Sequence, residues 1–353
     1  MTDSSKVLFV GDLNAYSKGL SRLRATQQLG ARIKSMSHTA IGGDEFGQLP
    51  LSLAFRVAWK LGIHLDTENV SRRLLHTVPL FDPDLIWVEK GNMIAAATLA
   101  RLKASCPSAI LASYTDDDMF AGWNRTRAYA AGLRHYDIVF TTKSYNANPD
   151  ELPAMGAKRV VVVDKAYDPD QHFPIELNGY ERAALGADVG FIGSYAPERE
   201  MLLRSLASTG VKVRVWGNGW VKVSGGDNLC IEGRPLINVG ERLDYTKAIC
   251  ATRINLGLLR KANRDLQTDR SIEIPACGGF LLAEQSPEHE QLFVNGREAA
   301  FFTSPNDLVT KIRHYLVNED ERVAIAAAGR RRCIESGYSH KDRMRVMLSE
   351  SFK

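Results

Sequence analysis

The chain has 353 residues, enough for two domains that each bury a core of their own. Its 45 basic and 41 acidic residues leave a net charge of +4, compatible with anionic ligands or a peripheral membrane contact and demanding neither. No apolar run approaches the ~20 residues needed to cross a bilayer, and five scattered cysteines (Cys106, Cys230, Cys250, Cys277, Cys333) without a C-x-x-C pair argue for a reduced, cytoplasmic protein without a structural zinc site.

The first residues read as a short polar leader into a strand rather than a signal peptide. Lys6–Gly11 (KVLFVG) predicts an apolar strand ending at glycine, and the polar loop DLNAYSKG leads into a helix over LSRLRATQQLG. Strand, glycine loop and helix make the first unit of a Rossmann-like domain. Gly11, Asn14 and Gly19 then fall at the carboxyl edge of the sheet, where such folds take ligands. The loop carries no G-x-G-x-x-G and so no nicotinamide fingerprint. Region 27–80 is less patterned, with helices expected around Leu49–Leu61 and Thr67–Leu75. Further strands are expected in 82–91, 109–119, 136–143 and 158–168, and repeated βα units predict a mainly parallel sheet. Several of these strands end in polar clusters, among them Glu89-Lys90-Gly91 and Asp116-Asp117-Asp118, which points to a shared cleft. The aspartate run suits a helix cap equally well.

Asp168–Leu185 holds Pro169, Pro174, Asn178 and Gly179 and reads as an interdomain linker. A second α/β set follows: DVGFIG (188–193), a helix from Arg199, KVRVWG (212–217), a helix from Tyr245 and RINLGL (253–258). The expected division is 1–175 for the first domain, 176–186 for the linker, 187–337 for the second domain and 338–353 for a C-terminal helix.

The richest segment runs from Asp265 to Phe302. Thr268 or Asp269 can cap a helix carrying Ile272, Ile274, Ala276 and Cys277, which breaks at Gly278-Gly279 before a buried strand, Phe280–Ala283. A helix N-terminus offers free amide donors and partial positive charge, so it suits a diphosphate. Arg270 in the first turn opposes the helix dipole unless an anion sits there. Glu273 lies three residues on, on the same face, where it can accept from ribose hydroxyls or pair with Arg270.

Asp265, seven intervening residues, Glu273 and then A-C-G-G resemble the E-x7-E signature of GT-B glycosyltransferases of the family 4 kind, with Asp265 where the first Glu is usual. The chain is most similar to the spore-maturation CgeB-like group, through RSIEIPACGGFLLAE (270–284), EQLFVNGREAAFF (290–302), FIGSYAPERE (191–200) and YTKAICATRINLGL (245–258). IWVEKGNMI (86–94), SYTDDDM (113–119), YDIVFTTKSYN (136–146) and GAKRVVVVDKAYDPDQHFP (156–174) extend the likeness through the N-terminal half.

The resemblance implies an α/β fold of the GT-B class, two Rossmann-like domains with parallel sheets facing across a cleft, the last helix crossing back to the first domain. It implies transfer of a sugar from a nucleotide diphosphate sugar, with a UDP-sugar expected, to a hydroxyl of a glycan, protein or other acceptor. Gly193, Ser194, Trp216, Gly217, Asn218, Asp265, Thr268, Asp269, Arg270, Glu273, Gly278, Gly279 and Glu290 are the expected donor-side residues. Gly193-Ser194 underlies the diphosphate and the Trp216–Asn218 loop lies near the base, although Trp216 equally suits a buried core position. Arg199 and Lys261 supply the positive charge that a departing nucleotide diphosphate needs, so no cofactor or metal is expected. On the acceptor side stand Gly11, Asn14, Gly19 and Lys90, with Asp116 or Asp117 as a base if configuration inverts. Family 4 resemblance implies retention instead.

Two rivals use the same corner: a nucleotide-sugar epimerase or hydrolase that turns over donor alone, and a non-catalytic nucleotide-sugar-binding protein. A nucleic-acid partner would require a continuous basic stripe, whereas Arg330-Arg331-Arg332 fall on one expected helix.

Overall fold

Strict alternation along the first strands decides the architecture. Leu8, Val10, Ile86, Val88, Leu111 and Val139 enter one hydrophobic cluster, while their neighbours Val7, Phe9, Leu85, Trp87, Ala112 and Phe140 enter another. Strands buried on both faces need helices on both faces, which is what parallel βα units provide. The structure, a computed structural model, describes residues 5–42 and 52–353. It divides into two compact units, Met1–Asp164 with His340–Lys353, and Lys165–Ser339.

In the first unit the strands are β1 (Lys6–Gly11), β2 (Arg32–Ser37), β3 (Leu85–Glu89), β4 (Ile110–Thr115), β5 (Ile138–Thr141) and β6 (Val160–Val162). Among the described residues they form one sheet in the order β2-β1-β3-β4-β5-β6, every pairing parallel. The helices are α1 (Lys18–Gln28), α2 (Leu53–Lys60), α3 (Val70–Phe81), α4 (Ala96–Ser105) and α5 (Arg127–Gly132). The helices expected around Leu49–Leu61 and Thr67–Leu75 correspond to α2 and α3; the start of the first expectation lies outside the described residues.

The second unit contains α6 (Gly179–Leu185), β7 (Ala187–Ile192), α7 (Pro197–Ser208), β8 (Val213–Trp216), β9 (Leu229–Ile231), the short hairpin β10 (Asn238–Val239) and β11 (Arg242–Leu243), and α8 (Asp244–Ala251). It continues with β12 (Thr252–Gly257), α9 (Asp269–Ala276), β13 (Leu281–Glu284), α10 (Pro287–Leu292), β14 (Ala300–Phe302), α11 (Pro305–Val317) and α12 (Glu319–Glu335). Its main sheet runs β14-β13-β12-β7-β8-β9, again wholly parallel. Strand order reverses between β12 and β7, the switch point where open α/β sheets leave a crevice at their carboxyl edge. Residues 176–186, expected as a linker, belong to this unit and carry α6, closed by an Asn178–Glu181 capping box.

The final helix, α13 (His340–Ser351), belongs to the first unit. Its Met344, Met347 and Leu348 join Val7, Phe9, Leu23 and Trp87 in one cluster, and an Arg343–Asp164 ion pair ties it to the same unit. Two Rossmann-like units with parallel sheets constitute the GT-B class of α/β fold. No helix among the described residues is long and apolar enough to cross a membrane.

Candidate functional site

At the carboxyl edge of the second sheet the chain turns three times within a small space. After β7, Gly193 gives its N–H to the Trp216 carbonyl at 2.8 Å and accepts from Trp220 Nε1 at 2.8 Å. Gly217 sits at φ 145°, and a Cβ there would come within 2.0 Å of the Gly193 oxygen, so two strand-end loops touch through bare backbone. Tyr195 N–H donates to the Asn218 carbonyl at 2.8 Å. Ser194 and Asn218 lie exposed at this rim.

Arg199, in the first turn of α7, is 3% exposed. It gives hydrogen bonds to the carbonyls of Ser194 and Leu258, both at 2.9 Å, which ties the ends of β7 and β12 together. Burial pushes its guanidinium down to about 10, helped by the neighbouring positive charge of Arg270. Among the described residues Arg270, in the first turn of α9, makes no hydrogen bond or ion pair, and the Nε atoms of Arg199 and Arg270 are both buried without partners. The two guanidiniums belong to the first turns of α7 and α9, and positive charge at a helix start favours an anion. Lys261 is exposed beside it.

The loop from 260 to 265 is braced from within. Asp265 accepts from Asn263 Nδ2 at 2.8 Å and from Arg260 N–H at 3.3 Å, and Arg264 takes a left-handed φ of 46°. Thr268 is the residue before α9, and its N–H donates to Ser271 Oγ at 2.9 Å. Ser271 Oγ in turn lies 2.7 Å from Nε2 of His289, and the His289 Nδ1 lies 2.7 Å from the Glu284 carbonyl. A carbonyl can only accept, so Nδ1 carries the proton and Nε2 accepts from the Ser271 hydroxyl. Burial holds the His289 imidazole below its ordinary range and therefore neutral. This relay pins the start of α9 to the end of β13. Asp269 is paired with Lys165 at 3.4 Å.

Glu273, expected to face ribose hydroxyls together with Arg270, is 4% exposed. Its Oε2 accepts from the Tyr245 hydroxyl at 2.6 Å, and His172 Nε2 lies 3.7 Å from Oε1. Tyr245 and His172 are thus two of its neighbours.

Two placements correct the sequence expectations. Gly278 and Gly279 lie at the far end of α9, which carries the chain back to the amino edge of the sheet before β13. Gly278 takes φ 74° to end the helix, and a Cβ on Gly279 would meet Ile249 at 2.7 Å, so both serve the helix-to-strand turn. Trp216 is fully buried with Leu185, Leu236 and Ala248 and is no platform for a base. Glu290 lies exposed on α10, where it accepts from Gln285.

In the first unit the strand ends carry a charged network. Arg22 holds Glu89 by a buried bidentate pair at 2.6 and 2.9 Å, lies 4.2 Å over the Tyr114 ring and reaches Asp116 at 3.5 Å. Asp116 also accepts from Tyr114 at 2.7 Å. Lys90, at a left-handed φ of 63°, pairs with Asp117. Asp118 is a cap, accepting from the N–H groups of Phe120 and Ala121 and from Asn146 Nδ2. Gly19 permits close approach, since a Cβ would lie 2.3 Å from the Asp12 carbonyl and 2.8 Å from Glu89. Asn14 is a loop brace, with bonds to Asp12, Ala40 and Gly42, and Gly11 accepts from His38 N–H at 3.0 Å.

Sequence reasoning missed Arg22, Tyr245, Glu284 and the Ser271–His289 contact. It also missed His38, whose buried Nδ1 has no partner among the described residues and whose imidazole burial drives down against the pull of Asp12. Arg22, His38 and His289 sit in no motif, and although Tyr245, Ser271 and Glu284 fall within the family-like segments, each acquires its neighbours only when distant segments meet. Among the described residues no group of three or more His, Cys, Asp or Glu side chains could hold a metal ion.

A family model described as Glycosyl transferase-like matches residues 199–349. No curated protein matches. Among solved structures, the chain is similar to a sucrose-phosphate synthase from Thermosynechococcus elongatus, with TM-score 0.66 and 10% identity over 98% of both chains. It is similar to HepE from Anabaena in complex with UDP-glucose, with TM-score 0.62 and 11% identity over 98% of this chain and 99% of that one. An alpha-glucosyltransferase in complex with UDP and a 13-mer DNA gives 0.65 and 12% over 99% of this chain and 100% of that one. At such identities the likeness is one of fold.

Proposed function

We propose that the chain is a glycosyltransferase, allied to the CgeB-like group, that moves a hexosyl unit from a nucleotide diphosphate sugar to an acceptor hydroxyl. The observation that carries this is two guanidiniums that feel each other's charge, Arg199 in the first turn of α7 and Arg270 in the first turn of α9, each with a buried Nε that finds no partner among the described residues. A diphosphate supplies the missing negative charge, and the pair, with Lys261, stabilises the leaving nucleotide as the glycosidic bond breaks. Charge neutralisation by these side chains makes the reaction metal-independent on this reading. The Glycosyl transferase-like match over residues 199–349 supports the assignment, as do fold neighbours crystallised with UDP or UDP-glucose.

The donor belongs to the second unit, along Gly193, Ser194, Gly217, Asn218, Asp265, Thr268 and Asp269, with Glu273 as the ribose-side carboxylate set in place by Tyr245. UDP is the expected nucleotide. The acceptor, a glycan, protein or other hydroxyl compound, belongs to the first unit, near Lys90, Asp116 and Asp117.

Titration of UDP into wild type and Arg270→Ala tests the reading. The wild type should bind UDP saturably and with EDTA present. A charged hydrogen bond is worth about 1.5–3 kcal/mol, so the variant should bind about 10- to 100-fold more weakly. Its melting temperature should not change, because Arg270 has no partner to lose. A wild type that binds no nucleoside diphosphate refutes the proposal.

A further inference from the structure

Among the described residues α12 is the longest helix, and its outward face is unlike an ordinary solvated one. Its inward face buries Arg322, which gives a hydrogen bond to the Tyr315 carbonyl at 2.7 Å, together with Ile325, Ala326 and Cys333. Apolar residues face out instead. Val323 and Ile334 are 56% and 51% exposed, and Ala324 and Ala327 are exposed between them. At 3.6 residues per turn, Asp320, Val323, Ala324, Ala327, Arg331 and Ile334 fall within about 100° of one another. Asp320, Ala324, Ala327, Arg331 and Ile334 follow at alternating steps of four and three residues, the spacing with which one helix seats against another.

The charges on this face are placed to match a copy of themselves. Asp320 stands in the first turn and Arg331 about three turns later, both exposed. Neither has a hydrogen-bond or ion-pair partner among the described residues, whereas Glu319 pairs with Arg322 and Glu321 with His314. A second α12 turned end for end about the midpoint of Ala324 and Ala327 brings its Arg331 to Asp320 and its Asp320 to Arg331. Ala324 then meets Ala327, and these small side chains let the axes approach to about 8 Å. A parallel alignment in the same register sets like charges together at both ends, so the antiparallel one is selected.

We propose that the outward face of α12 is a self-association surface on which a second copy of this chain docks antiparallel, held in register by two Asp320–Arg331 pairs between the copies. A helix of 17 residues is about 25 Å long, which puts the contact at the small end of specific interfaces and makes the dimer reversible. Association on this face needs nothing bound at the carboxyl edge of the sheet, so it stands or falls apart from the nucleotide-sugar reading.

Sedimentation velocity of the full chain over a concentration series tests this. The wild type should move from 39.1 kDa towards twice that mass as its concentration rises to about 1 mM. Asp320→Arg and Arg331→Asp each set like charges face to face at both ends and should each weaken association by about 100-fold or more. Both positions are exposed and without partners, so at low concentration the variants should melt within about 2 °C of the wild type. Mixed in equal amounts, the two variants should associate about as strongly as the wild type, because one chain now presents two arginines and the other two aspartates at the matched positions. A wild type that stays at 39.1 kDa throughout, a single variant that dimerises as well as the wild type, or a mixture no stronger than its components overturns the proposal.

Discussion

The relay from Thr268 through Ser271 and His289 to Glu284 makes a demand on pH and on stability. His289 is fully buried and stacks on Phe301 with ring centroids 5.6 Å apart. Replacing it with alanine strands two buried groups, the Ser271 hydroxyl and the Glu284 carbonyl. Each stranded group costs about 1–3 kcal/mol, so with the lost packing a total of about 4 kcal/mol is expected. For a unit of this size one kcal/mol moves the melting point by about 2–4 °C, which gives about 8–16 °C. The pH response has a definite sign. Burial depresses the folded imidazole below its ordinary value of 6.5, so between the two values the unfolded chain binds the extra proton. Stability from neutral His289 is therefore complete above 6.5 and is lost as pH falls towards the folded value, by at most about 1.4 kcal/mol per pH unit. Half-buried His38 and His64 act with the same sign, so the readout is the difference between wild type and His289→Ala. Urea melts from about pH 7.5 to about pH 5 should show the gap between the two proteins narrowing with acid. A gap under about 1 kcal/mol, or one that does not depend on pH, refutes the relay.

Three further outcomes follow from backbone and charge. Gly217→Ala combines a φ of 145° with a Cβ at 2.0 Å from the Gly193 oxygen; it should destabilise by about 3 kcal/mol or more, and a neutral result in urea melts would mean the two loops are not in contact. Arg22→Met leaves Glu89 buried without its bidentate partner and should cost about 3–5 kcal/mol. Lys90→Ala removes a half-exposed pair and should cost under about 1 kcal/mol. Equal losses in these two variants would contradict the burial difference.

Much of the fold was legible because its signals are local. Alternating apolar strands closed by glycine or polar clusters gave β1, β3, β4 and β5, and the Thr268 cap pattern gave the start of α9. The errors came from facts that are not local. Trp216 follows Val213, Arg214 and Val215 in a strand buried on both faces, so its ring packs away from Val215 under Arg214, at 4.9 Å, and has no surface left for a base. Gly278 and Gly279 stand close to Thr268 in sequence, yet eight helical residues at about 1.5 Å each put about 12 Å between them. Glu273 was singled out from its place in α9, but its partner Tyr245 is 28 residues earlier. No spacing rule links the two.

The placement of α13 bears on how the chain is made. Met344, Met347 and Leu348 are almost wholly inaccessible among the side chains of β1, β3 and α1. A ribosome delivers Lys165–Ser339 as one uninterrupted stretch, which can close its own interior as it emerges. The amino-terminal unit has no such freedom. Although synthesised first, it keeps Val7, Phe9 and Leu23 short of their cover until His340–Ser351 has left the exit tunnel, so the order of translation is not the order in which the two interiors can be completed.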